Sequence, residues 1–148
     1  MNSVFKFLLG LLFFTNIAAY AQTEKQDLIG NWIATDHWNN ESSLVLSEDN
    51  YVSMSINGEF IDGKNFSITG GTNNGKKGEL KYSINTNVTP IEIDIIALLD
   101  NEEKGRILGA IKVIDKSEFL MTLSFNGVRD TNFEDSDNEN IISVKKTD

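Results

Sequence analysis

Residues 80–95 read LKYSINTNVTPIEIDI, and this stretch decides the fold class. Apolar and polar side chains alternate over residues 80–84 and again over residues 91–95. A period of two places the apolar side chains on one face of a half-buried strand. Pro90, the only proline, stands at the entrance of the second run, where its missing N–H does least harm to a sheet. The stretch therefore predicts two consecutive β-strands.

The same alternation continues on both sides of this stretch, and no helical stripe exceeds two turns. Asn57-Gly58 is typical of a type I′ hairpin turn, in which both central residues have a positive φ. A short helical turn is predicted over residues 25–28, and a flexible loop over the glycine-rich residues 70–78. The further predicted strands cover residues 30–35, 43–47, 51–56, 107–114, 119–125 and 141–145, and residues 60–61 and 66–69 show weaker strand patterns.

Eight or nine short strands joined mostly by tight turns give an antiparallel meander. Such a meander buries its apolar face by closing into a barrel, which also removes the exposed sheet edges. The sequence therefore predicts one all-β domain with an up-and-down barrel. A sandwich of two sheets is the alternative.

The composition of the chain excludes several kinds of functional site and partner. The chain has 148 residues, with 22 acidic and 13 basic side chains, one histidine and no cysteine. The absence of cysteine excludes a thiol nucleophile, an iron–sulfur cluster and a zinc–thiolate site. The formal charge of −9 argues against nucleic acid or an anionic membrane surface as a partner.

The N-terminus has the pattern of a signal peptide. Lys6 precedes an apolar core over residues 7–14, and Ala19-Tyr20-Ala21 supplies the small-x-small cleavage pattern. We therefore expect a signal peptide over residues 1–21 and a mature domain over residues 22–148. The expected product is secreted or periplasmic, monomeric and not inserted in a membrane after cleavage.

Three stretches carry a family resemblance. Gly30-Asn31-Trp32 resembles the Gly-x-Trp signature that begins the first strand of lipocalins. Residues 105–111 with residues 119–121 resemble the paired late strands of a secreted bacterial lipocalin-like domain. Residues 127–133 resemble the Arg-Pro-x-x-Phe stretch before its last strand, with Asp130 in place of the proline.

The resemblance implies a lipocalin-like barrel and a structural clasp formed by Gly30, Trp32 and Arg129. In that clasp Trp32 packs at the closed end of the barrel and Arg129 lies across its ring. A guanidinium over an indole contributes about 0.5–2 kcal/mol. In the alternative interpretation, Arg129 is a surface residue beside Asp130.

The barrel interior is the predicted binding region. If the first strand continues for six residues beyond Trp32, it rises about 20 Å and places Trp38 at the open mouth, facing the lumen. The alternatives are an aromatic cover without a ligand and a lumen filled by its own core side chains. The candidate ligand-lining residues are Trp38, Met54, Tyr82, Ile93, Met121 and Phe125.

No motif indicates catalysis, so we expect no enzyme activity and no cofactor. His37 lies between Asp36 and Trp38, but no nucleophile-elbow pattern accompanies it. The carboxylates of residues 130–139 offer oxygen ligands without the glycine and distal glutamate of an EF-hand loop. We expect a non-catalytic protein that binds a small apolar or amphipathic molecule in the lumen. The alternative is a protein-binding module that uses residues 130–139 and 70–78.

Overall fold

The computed structural model describes residues 22–147, and the predicted signal peptide lies outside them. The described chain forms one sheet of ten strands and one short helix, α1 (Lys25–Leu28). The strands are β1 (Gly30–Thr35), β2 (Glu41–Leu46), β3 (Val52–Ile56), β4 (Glu59–Ile61), β5 (Phe66–Ser67), β6 (Lys77–Asn85), β7 (Ile91–Leu99), β8 (Glu102–Asp115), β9 (Glu118–Ser124) and β10 (Ile141–Lys146).

The predicted antiparallel meander is confirmed. The strand order is β4-β3-β2-β1-β10-β9-β8-β7-β6-β5, and every neighbouring pair is antiparallel. Strand β1 pairs with both β2 and β10, which joins the beginning of the domain to its end. All ten strands belong to one nearly closed, barrel-shaped sheet, so the two-sheet sandwich is not formed.

The barrel wall consists of β1–β3 and β6–β10, and its seam lies between β3 and β6. The backbone crosses the seam in an isolated bridge between Tyr51 and Lys81. The Tyr82 N–H also donates to the Asn50 carbonyl at 2.9 Å. The short strands β4 and β5 extend the sheet beyond the seam on either side.

Gly63 fills the remaining gap in the seam. Its N–H donates to the Ser53 hydroxyl at 2.9 Å, and its carbonyl accepts the Leu80 N–H at 2.8 Å. A Cβ at this position would lie 2.0 Å from the Val52 carbonyl oxygen and 3.0 Å from the Leu80 carbonyl oxygen. The seam therefore requires glycine because the space beside its backbone is already occupied.

The core lies inside the barrel because alternate side chains of each strand point inward. Strand β1 shows the pattern, with Trp32 and Ala34 buried and the residues between and beside them more exposed. The side chains that are essentially fully buried are Trp32, Phe119, Leu46, Ile93, Ile111, Val52, Val144 and Thr122.

Several predicted boundaries are corrected. The structure has ten strands, because β4 and β5 both form as short additions to eight longer strands. Strand β8 begins at Glu102 and not at residue 107, because Asp100 and Asn101 form the β7–β8 turn with φ values of 51° and 62°. The predicted Asn57-Gly58 turn is confirmed, with φ values of 51° and 81°.

Candidate functional site

A cavity of about 800 Å³ occupies one end of the barrel interior. It reaches from side chains of the sheet to the β1–β2 and β3–β4 turns. Its apolar wall comes from six different strands, so the closed sheet is needed to assemble it. The apolar lining residues are Ala34, Leu44, Met54, Ile56, Ile95, Met121, Leu123 and Ile142.

Small side chains make the space. Ala34 of β1 and Ser42 of β2 are directly paired across the two strands, and both line the cavity. Two pairs further along, at the next inward-facing position, Trp32 lies opposite Leu44, and there the interior is filled. The lumen is therefore open where the β1–β2 pair is small and packed where it is large.

The entrance, which we call the rim, consists of the polar lining residues Asp36, Asn39, Asn40, Glu41 and Asn57. The Asp36 carboxylate holds the β1–β2 turn. It accepts the backbone N–H groups of Trp38 at 2.9 Å and Asn40 at 2.8 Å, and the Asn40 side-chain amide at 2.9 Å.

The same hydrogen bonds determine the charge of Asp36. The side-chain hydrogen bond from Asn40, followed by the backbone ones from Asn40 and Trp38, holds the pKa of this carboxyl below its usual value. Glu41, at the start of β2, is exposed. Asp36 therefore carries a negative charge at the rim at neutral pH.

The opposite end of the barrel, which we call the closed end, is covered by α1. The Trp32 indole N–H donates to the Leu28 carbonyl at 3.0 Å. Its ring meets Phe119 edge-on, with centroids 4.8 Å apart at an interplanar angle of 69°. The Lys146 ammonium lies 5.4 Å from the Trp32 ring centroid. The expected position of Trp32 agrees with this packing, but the cation over its ring is Lys146.

Arg129, which we expected over Trp32, lies elsewhere. Its Nη1 donates to the Gly109 carbonyl at 2.6 Å and to the Asp94 carboxylate at 2.8 Å, and its Nε lies 3.7 Å from the Glu92 carboxylate. The predicted Trp32–Arg129 clasp is therefore wrong. Arg129 instead joins the β9–β10 connection to β7 and β8 through these hydrogen bonds. This role depends on contacts between residues that are far apart in the sequence.

Gly30 adjoins the Trp32–Lys146 pair. It has a φ of 140°, and a Cβ at this position would lie 3.6 Å from the Lys146 side chain and 4.0 Å from the Trp32 indole nitrogen. The left-handed backbone at Gly30 favours glycine, because other residues rarely adopt it. Gly30 and Trp32 are thus brought together at the closed end without Arg129.

Of the six predicted lining residues, Met54 and Met121 line the cavity. Tyr82 and Ile93 face inward but belong to the packed core, with 3% and 1% of their surface exposed. Tyr82 directs its hydroxyl to the Ser47 carbonyl at 2.6 Å, near the closed end. Alternation gave the correct face for all four residues but could not give their depth in the barrel.

Trp38 and Phe125 are corrections. Their side chains are 64% and 80% exposed, and neither is among the residues that line the cavity. Strand β1 ends at Thr35, and the Asp36 carboxylate then accepts the Trp38 N–H and forms a turn. The alternation of a strand therefore no longer determines which way the Trp38 side chain points. Strand β9 ends at Ser124, one residue before Phe125.

The lining residues that sequence reasoning missed include Ile95 and Leu123. Each follows a predicted inward residue by two positions, Ile93 and Met121 respectively, so alternation alone could have found them. Ala34 is the missed lining residue that matters most, because a small side chain on the inward face of a strand indicates empty space in the lumen.

The structure also shows the surroundings of the other candidate residues, His37 and the carboxylates of residues 130–139. His37 is exposed in the β1–β2 turn and contacts Trp38 edge-on, with centroids 5.6 Å apart. In residues 130–139, Asp130 accepts hydrogen bonds from the Asn132 N–H and from the side-chain amides of Asn138 and Asn140, each at 2.9 Å. Within residues 22–147 no group of three or more acidic or histidine side chains is arranged to hold a metal ion.

Comparison of the chain with protein-family models, curated proteins and solved structures gives no match. Within the described residues, no helix has the length and apolar character needed to span a membrane. The lumen and its rim are therefore the structural features that indicate a function.

Proposed function

We propose that the protein is a non-catalytic binding protein that holds a small apolar or amphipathic molecule in the barrel lumen. The observation that carries this proposal is the cavity of about 800 Å³, with an apolar wall and a polar rim. Ligand pockets typically have volumes of about 300–1,000 Å³ and combine apolar walls with a few polar groups. The cavity has the size and the division of polarity that an amphiphile requires.

The packing of the barrel interior supports the same proposal. An eight-stranded barrel either fills its interior with side chains or keeps room for one small ligand. Here the closed end is filled around Trp32, while the Ala34–Ser42 pair leaves the other end open. Met54 and Met121 supply flexible, polarisable walls that adapt to ligands of different shape. The predicted secretion and the lipocalin resemblance agree with a carrier role.

A titration with 1-decanol, an uncharged amphiphile, tests the proposal. We expect saturable binding by calorimetry and a rise in Tm, because a ligand that binds only the folded state stabilises it. Ala34→Phe and Ser42→Phe place a ring in the cavity and should abolish binding. Ile33→Phe adds a ring on the opposite face of β1 and should leave binding intact. Loss of binding in all three variants, or no binding by the unaltered protein, would contradict the proposal.

A second candidate is a protein-binding module, as the sequence alternative suggests. The observation that favours it is the hydrogen-bonded arrangement of residues 130–140 around the Asp130 carboxylate, in a segment that also carries Glu134, Asp135, Asp137 and Glu139. Phe125 and Val128, just before it, expose 80% and 68% of their surface. An acidic surface beside apolar side chains suits a basic protein partner.

Co-purification from the native envelope distinguishes the two candidates. A protein partner should be recovered in stoichiometric amount with the unaltered chain and with Ala34→Phe, and should be lost when Asp135, Asp137 and Glu139 are replaced by Asn, Asn and Gln. Recovery of no stoichiometric partner would reject this second candidate and leave the lumen as the functional site.

A further inference from the structure

We infer that Ser42 orients the ligand, and that the lumen selects single-chain amphiphiles whose head is uncharged and carries a hydroxyl or carbonyl oxygen. The head bonds the Ser42 hydroxyl near the rim, and the apolar chain points toward Trp32 at the closed end. This inference rests on the proposed function and specifies the chemical class of its ligand.

The strand register directs the Ser42 side chain into the lumen. Ser42 of β2 is paired with Ala34 of β1, which is buried. Two positions further along β2, Leu44 is paired with Trp32, and both are buried. Because side chains alternate along a strand, Ser42 and Leu44 project from the same face of β2. The half-buried Ser42 side chain therefore belongs to the cavity wall.

Among the described residues that line the cavity from a strand, Ser42 supplies the only polar side chain on the inward face. Ser43 and Ser55 are next in sequence to the inward-facing Leu44 and Met54, so alternation points them outward. Their hydroxyls bond each other at 3.1 Å. The asparagines of the rim are exposed to solvent in the turns. The apolar wall thus carries one hydroxyl, and it lies near the entrance.

The Ser42 hydroxyl is free to bond a ligand. No hydrogen bond formed within residues 22–147 includes it, whereas the nearby Ser53 hydroxyl accepts the Gly63 N–H at 2.9 Å. In the same part of the chain, no side-chain nitrogen or oxygen that is sealed from solvent lacks a partner. The unpaired Ser42 hydroxyl is therefore accessible from the lumen. It can donate one hydrogen bond and accept others, which suits a hydroxyl or carbonyl head.

The lumen offers no charged partner to a ligand head. Its lining contains no lysine, arginine or histidine. The Asp36 carboxylate accepts three hydrogen bonds within its own turn, and Glu41 is paired with Thr35 on the outer face of the barrel. A charged head beside Ser42 would lose its hydration without gaining an ion pair. A charged head that keeps its hydration must stay in the water outside the rim, which draws part of the chain away from the apolar wall.

Three ligands with the same ten-carbon chain test the selection of an uncharged head: 1-decanol, decanoate and decylamine, each titrated at pH 7 in about 0.15 M salt to screen the charge of the whole molecule. Each methylene drawn out of an apolar site lowers affinity about fourfold. We therefore expect decanol to bind at least about fourfold more tightly than either charged ligand. Equal or tighter binding of decanoate or decylamine would overturn the inference.

The variant Ser42→Ala tests the role of the hydroxyl. It makes the cavity wall more apolar, so a lumen that only buries the chain would bind decanol equally well or better. Loss of a hydrogen bond to the head should instead weaken decanol binding by about twofold to tenfold. Ser42→Thr keeps a hydroxyl and should retain most of the affinity. Ser83→Ala is the matched control, since it removes an exposed hydroxyl from the outer face of β6.

The outcomes separate the inference from the proposed function. Equal decanol binding by the unaltered protein and by Ser42→Ala would overturn the inference and keep the lumen as a binding site. An equal loss in Ser42→Ala and Ser83→Ala, or a loss in Ser42→Ala that is just as large in Ser42→Thr, would also overturn it. Binding of none of the three ligands by the unaltered protein would reject the proposed function itself.

Discussion

Replacing Gly63 by alanine tests whether the barrel is closed in the way described. The added Cβ would lie 2.0 Å from the Val52 carbonyl oxygen and 3.0 Å from that of Leu80. Both neighbours are backbone atoms, so no side-chain rotation relieves the overlap. The seam must open, and the Gly63 hydrogen bonds to Ser53 and Leu80 must lengthen or break.

The expected cost follows from these contacts. Two lost hydrogen bonds contribute about 1–3 kcal/mol, and overpacking against a rigid neighbour contributes about 1–3 kcal/mol. Gly63→Ala should therefore lower the free energy of unfolding by about 2–6 kcal/mol. For a domain of this size, 2 kcal/mol corresponds to a fall in Tm of at least about 6 °C. Urea denaturation monitored by circular dichroism measures the change directly.

Gly105→Ala is the matched control. A Cβ at Gly105 would have no neighbour within 4 Å, and the residue does not require a left-handed backbone. This variant should change the free energy of unfolding by less than about 1 kcal/mol, because it introduces neither a clash nor strain. Equal stability of the two variants, or a loss below about 0.5 kcal/mol for Gly63→Ala, would refute the reasoning about the seam.

Three further predictions concern other parts of the fold. Arg129→Met should lower the free energy of unfolding by about 1–3 kcal/mol in urea titrations, since it removes hydrogen bonds of a charged donor to Asp94 and to a backbone carbonyl. Hydrogen bonds, first from the side-chain amide of Asn140 and then from the other donors to Asp130, lower the pKa of Asp130 from its usual 3.8. The stabilisation that ionised Asp130 contributes is therefore present above pH 3.8 and is lost as the pH falls through the pKa of Asp130 in the folded protein. Asp130→Asn should therefore lower Tm at pH 7, with a difference from the unaltered protein that shrinks in scans below pH 3.8. Trp38→Phe should leave Trp32 as the sole tryptophan and nearly abolish fluorescence quenching by iodide, because Trp32 is only 2% exposed; strong residual quenching would contradict the closed end as described.

The fold was predictable because alternation and turn chemistry act locally. The period of two marked the inward face of β6 and β7, and Asn57-Gly58 fixed a two-residue turn through its positive φ values. The β7–β8 turn at Asp100-Asn101 was predicted too late in the chain because this pair lacks glycine, although asparagine and aspartate also tolerate a left-handed backbone. Closure at Gly63 depends on a contact between distant strands and has no local signature.

The site was only partly predictable for a related reason. Alternation placed Met54 and Met121 on the correct face, but extending it past the ends of the strands misplaced Trp38 and Phe125. The signal that ends β1 is Asp36, whose side chain bonds the backbone two residues later and so starts a turn. The pairing of Arg129 with Asp94 joins residues that lie 35 positions apart, which no spacing rule reveals.

Native mass spectrometry of the protein purified from cells that express the full chain tests the central claim most directly. A lumen that holds a ligand predicts an added mass of one small molecule that disappears on denaturation and is absent from Ala34→Phe. The bare mass of the polypeptide in every preparation, including one incubated with decanol before the measurement, would contradict the claim that the barrel is a binding protein.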